Sequence, residues 1–75
     1  MMYPWMQLED QTEIVHSDLR DDGSVKVYIE KPIEGGFKFA TCLLPGYEWI
    51  EIDGFSAVEI QRYEKILKTL KFQYK

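Results

Sequence analysis

The chain of 75 residues has one cysteine and one histidine, and these two shortages exclude a good deal. Cys42 has no partner for an intrachain disulfide, and its apolar neighbours mark a buried thiol rather than a reactive one. A reducing, intracellular setting is the one expected. Beside His16 stand only Glu13 and Asp18, an open set of oxygen ligands without the several nitrogen or sulfur ligands of a typical metal site. Ser17, Ser24 and Ser56 have no second histidine to share proton transfers with, and an apolar strand would raise the Cys42 pKa rather than lower it. "DLRDDG" lacks the ligand spacing and closing glutamate of a calcium loop. Gly35-Gly36 lacks the lysine and serine of a phosphate loop and runs into a strand, so no helix terminus waits for a phosphate. Catalytic residues, metal ligands, cofactors and small-molecule sites are therefore assigned to none of these positions, and a non-enzymatic protein is expected. Glu48, Glu51 and Asp53 could line a groove beside Trp49, but a chain of 75 residues rarely builds one.

Long apolar runs are missing as well. Nothing approaches the roughly 20 residues of a membrane span, and "MMYPWMQLED" lacks the basic start and apolar stretch of a signal peptide. A soluble, cytoplasmic protein is expected. Basic residues are scarce in the body of the chain: residues 1–61 carry four bases against twelve acids, a net −8, while residues 62–75 carry five bases against one acid, a net +4. An acidic body repels phosphates, so nucleic-acid binding is disfavoured unless the basic helix end acts alone. A basic helix end more often complements the helix dipole.

What is present is a globular composition, 45% apolar and 15% aromatic, without repeats or linkers, which predicts a single domain over 1–75. A chain of this size buries only about 60% of its unfolded surface, so aromatics such as Trp5, Tyr47 and Trp49 are expected to serve a modest core, with Trp5 either covering one end of it or forming an exposed contact. "RDDGS" supplies the Asp-Gly pair of a tight hairpin between "TEIVHSDL" and "SVKVYIEK". The first strand places Val15 and Leu19 on one face, and the second places Val25, Val27 and Ile29 opposite Lys26, Tyr28 and Glu30. "KPIEGG" then turns the chain, with positive φ expected at Gly35 or Gly36. Setting Glu30 opposite Lys38 pairs Ile29 with Phe39, Val27 with Thr41 and Val25 with Leu43. "YEWIEI" can add a fourth strand, although the adjacent Trp49 and Ile50 interrupt its alternation. From Ser56 a capping box with Glu59 opens a helix to about Lys71, with Ile60, Tyr63, Leu67 and Leu70 on the inner stripe and Glu64 paired to Lys68.

The predicted fold is α+β: an antiparallel meander of three or four strands, with one amphipathic helix across one face. On this register the helix meets Val25, Val27, Ile29, Phe37 and Phe39. The other face presents Ile14, His16, Tyr28, Ala40, Cys42 and Leu44, and of these Ile14, Tyr28, Ala40, Cys42 and Leu44 form a candidate partner or dimer surface.

"VYIEKPIEGGFKFATCLLPG", Val27 to Gly46, together with "SAVEIQRYEKIL" from Ser56, resembles the HicB-like antitoxin domain over about half of the chain. The resemblance implies a degraded nuclease fold that acts as a protein-binding inhibitor, commonly dimerises through its sheet and catalyses nothing. Both lines lead to a small interaction or regulatory module that works through a protein partner or through itself as a homodimer. A nucleic-acid-binding regulator using the basic helix is the alternative, and a subunit active only in an oligomer is a third.

Overall fold

The computed structural model describes residues 2–70, the side chain of Leu70 excepted. Strands β1 (Met2–Gln7), β2 (Glu13–Ser17), β3 (Val25–Ile33), β4 (Gly36–Leu44) and β5 (Glu48–Asp53) form one antiparallel sheet in chain order, followed by helix α1 (Ala57–Leu70). The α+β meander with one covering helix is as expected, with five strands instead of three or four. The added strand is β1, whose hairpin carries no glycine signal.

That hairpin nevertheless repeats the turn at Arg20 to Ser24. In both, the amide of the first residue donates to the carbonyl four residues on (Leu8 to Thr12, Arg20 to Ser24, each 2.8 Å), and the fourth residue donates back to the first (3.0 and 2.9 Å). In both, an aspartate accepts from the amide two residues on, Asp10 from Thr12 and Asp22 from Ser24. The fourth residue sits at positive φ in each, 84° at Gly23 and 71° at Gln11. "LEDQT" and "RDDGS" are thus the same turn, an aspartate-stapled loop with a left-handed fourth residue, and only the second uses the residue type for which that conformation costs least.

The β3–β4 hairpin overturns the expected register. Its loop is Glu34-Gly35, closing on Ile33 opposite Gly36, with the positive φ (84°) at Gly35. Every later pair is displaced by one residue: Glu30 faces Phe39, Ile29 faces Ala40, Val27 faces Cys42 and Val25 faces Leu44. Because side chains alternate, one residue of slip turns a whole strand over. Ala40, Cys42 and Leu44 enter the core with Val25, Val27, Ile29 and Ile14, while Phe37 is left 58% exposed. The slip has a packing rationale. Small Ala40 and Cys42 leave room beside the bulky Tyr63, Phe55 and Leu67 of the same cluster, where two phenylalanines would overfill it. Likewise Ile14, not Val15, faces the helix from β2, and Leu19 lies beyond the strand, 53% exposed.

Helix α1 starts as expected. Ser56 Oγ accepts from the Glu59 amide (3.2 Å) and Glu59 Oε1 accepts from the Ser56 amide (2.9 Å). Ile60, Tyr63 and Leu67 point into the core; the expected place of Leu70 on this stripe and of residue 71 in the helix lie outside the described side chains and residues. Tyr63 packs edge-on against Phe55 (5.1 Å between centroids), and its hydroxyl lies 3.5 Å from Thr12 Oγ1. Lysines close the rim of the core: Lys31 pairs with Asp10 (3.4 Å) and Lys38 with Glu59 (3.6 Å). At the other end Trp49 Nε1 donates to Glu64 (2.9 Å), which holds Lys68 (3.3 Å), itself 5.0 Å from the Tyr47 ring. These two partners, Trp49 foremost, depress the Glu64 pKa.

Candidate functional site

Four of the residues expected on the partner surface, Ile14, Ala40, Cys42 and Leu44, are buried beneath α1, so that surface is corrected to the face on which Tyr28 alone of the five remains. The cause is the register of β4 and the inward turn of Ile14. Burial, and then the charge of Glu64, push the Cys42 thiol up to about 12. This has a measurable consequence. The folded thiol stays protonated where the unfolded one, with its ordinary value of 9.0, ionises, so its contribution is fully present below about pH 9 and is lost as pH rises toward 12. The unfolding free energy of the wild type relative to Cys42→Ala, from urea titrations between pH 8 and 10.5, should fall by about 1.4 kcal/mol per pH unit above 9. A difference independent of pH would show the thiol to be accessible.

His16 is held among rings, 5.7 Å from Tyr3 and 5.9 Å from Trp5, and its Nδ1 lies 2.9 Å from the Ser17 carbonyl. A bulge between Pro4 and Met6 inserts Trp5, so that Trp5 and Met6 both pack against the core. This settles the place of Trp5, half-buried and not a free anchor. Among the described residues no group of three or more His, Cys, Asp or Glu side chains could hold a metal ion. No described helix is long and apolar enough to cross a membrane.

The uncovered face of the sheet is ordered in transverse rows. Glu13, Glu30, Phe39 and Asp53 stand side by side across β2 to β5, and the next row is Val15, Tyr28, Thr41 and Glu51. Farther along, Lys26, Leu43 and Glu48 form a third. Carboxylates from β2, β3 and β5 thus frame an aromatic centre on β3 and β4. Tyr28 stacks near Phe39 (6.1 Å, 25° between planes), and Phe37 continues the line two residues along the same strand. The Tyr28 hydroxyl reaches Glu30 only at 3.4 Å. Burial raises the Tyr28 pKa, with further contributions from the charge and hydrogen bond of Glu30 and the charge of Glu51, so both sides of the frame are felt at one ring.

Strand β5 owes its part to a second bulge. Thr41 faces Glu51 and Cys42 faces Trp49, which leaves Ile50 as the extra residue. The interrupted alternation at Trp49-Ile50 is this bulge. It sends Trp49 to the core side and Glu48, Glu51 and Asp53 to the open face, so these carboxylates line no groove with Trp49.

Family models, curated proteins and solved structures contain no match to this chain. The functional reading therefore stands on the open face itself.

Proposed function

We propose that the protein is a non-enzymatic interaction module that binds a partner protein through the open face of its sheet. The observation that carries this is the group of rings Tyr28, Phe39 and Phe37, from adjacent rows on a face that no described helix or strand covers, with Phe37 58% exposed. Aromatic side chains are enriched at the cores of protein interfaces, and a few such anchors carry much of the binding energy. The buried, hard-to-ionise Cys42 and the ring-packed His16 are engaged in structure, which supports a role without chemistry. The resemblance to the HicB-like antitoxin domain points to the same kind of module, one that acts by occupying another protein. Between a partner and a second copy, the charges favour a partner, because two such faces laid together would oppose carboxylate to carboxylate.

The test is photo-crosslinking in the native cell, with a benzophenone side chain at Phe37 or, as control, at Val58 of α1, which is 74% exposed. A protein adduct is expected from position 37 and not from 58. No adduct at 37, an adduct of nucleic acid, or equal yield at both positions would overturn the proposal.

A further inference from the structure

We infer that the occupant of the open face is an arginine-bearing segment of the partner, its guanidinium lying over Phe39 between the carboxylates of Glu30 and Asp53. This rests on the reading that the face binds a protein, and it adds the chemistry of what is bound.

Charge is divided sharply between the two sides of the sheet. On the helix side Asp10, Glu59 and Glu64 each hold a lysine within 3.6 Å. On the open face Glu13, Glu51 and Asp53 have no ion-pair partner among the described residues, and the face's single strand cation, Lys26, lies two rows from Phe39. Glu13 and Glu30 are directly opposed, an arrangement of like charges that destabilises an antiparallel pair. Such a local conflict is relieved when a cation docks.

Geometry narrows the cation to arginine. Glu30 and Asp53 flank Phe39 on neighbouring strands, so their backbones stand about 10 Å apart, two interstrand spacings, with the ring between them. A guanidinium is flat enough to stack on the ring and forked enough to donate sideways to both carboxylates. An ammonium presents one compact, strongly hydrated charge and cannot do both. A phosphate backbone is repelled by the same frame.

The test is titration of the isotope-labelled protein with acetyl-Gly-Arg-Leu-Arg-Gly-amide and its lysine and glutamate counterparts, followed by NMR at low salt. Shifts are expected at Tyr28, Phe39, Thr41 and Asp53, with the arginine peptide binding several-fold more tightly than the lysine peptide and the glutamate peptide not at all. Glu30→Gln and Asp53→Asn should each weaken binding about threefold, the ratio expected of one partly exposed ion pair. The urea midpoint of Glu30→Gln should match or exceed the wild type, because the clash with Glu13 is removed. Absence of shifts at about 5 mM arginine peptide, equal binding of the lysine peptide, shifts centred on α1, or competition by an RNA oligonucleotide for this face would overturn the assignment. A protein crosslink at Phe37 without arginine preference would refute this inference alone, whereas no crosslink would refute the interaction module itself.

Discussion

Leu67→Ala should lower the unfolding free energy by about 2 to 5 kcal/mol, read from the urea midpoint at constant slope. Leu67 is 1% exposed, one turn beyond the equally buried Tyr63, in the only cluster that holds α1 to the sheet among the described residues. Truncation removes its transfer free energy and leaves a void that β3 and β4, fixed by their ladder, cannot close. At about 0.05 to 0.15 kcal/mol per residue, a domain of 75 residues has roughly 4 to 11 kcal/mol in all. The variant would therefore be partly unfolded even without denaturant if the parent lies at the lower end. Lys65→Ala, on the exposed side of the same helix, should change stability by less than about 0.5 kcal/mol. A loss below about 1 kcal/mol for Leu67→Ala would show that the helix does not depend on this packing.

Gly54→Ala should cost about 2 kcal/mol or more, for two reasons that a paired variant separates. Gly54 has φ of 90°, and a Cβ there would meet Lys38 Cγ at 2.9 Å and Lys38 Cβ at 3.3 Å. To make room the lysine stem must shift, which disturbs its pair with Glu59 at the helix start. Gly35 has φ of 84° and nothing within 4 Å of its Cβ position. Gly35→Ala therefore carries the backbone strain alone, about 1 to 2 kcal/mol, and the excess at Gly54 measures the close approach. Equal losses at the two positions would show that Lys38 moves aside freely. Gly36, by contrast, has neither a positive φ nor a crowded Cβ position, so the expectation that Gly36 is needed for its backbone is not met, and the positive φ expected at one of the two glycines falls at Gly35.

What could be read without the structure was whatever a few adjacent residues decide. The Ser56–Glu59 box, the inner stripe of Ile60, Tyr63 and Leu67, and the Asp-Gly turn each depend on neighbours within one turn of chain, and each is found where expected. The open face depends instead on register. Placing the loop at Glu34-Gly35 rather than one residue earlier decides whether Phe39 or Ala40 meets the helix, and no local propensity distinguishes the two. Volume does, since Ala40 and Cys42 fit beside Tyr63 and Phe55 where larger side chains would not. Strand β1 was hidden because the left-handed position of its turn holds glutamine, where glycine marks the second copy. The signal that could have found it was the repeated Asp-x-Thr/Ser, "DQT" beside "DGS". Likewise the carboxylates of β5 could be assigned a face only by treating the Trp49-Ile50 interruption as a bulge.

The order of the sheet, β1-β2-β3-β4-β5, has a kinetic consequence. Each strand pairs with the one made just before it, so no loop longer than a hairpin connection must close before a ladder begins to form. Topologies of this kind have low contact order and fold quickly for β-rich proteins. During synthesis the hairpins can form one after another as they leave the ribosome, but the helix that covers their apolar side is the last element described. Until it docks, Val25, Val27, Ile29 and Leu44 face water in a nascent sheet whose two outer strands each carry one unpaired edge. The interval between completion of β5 and docking of α1 is thus when the nascent chain is most exposed to aggregation, and the Ser56 cap, by nucleating the helix directly after the last turn, shortens it.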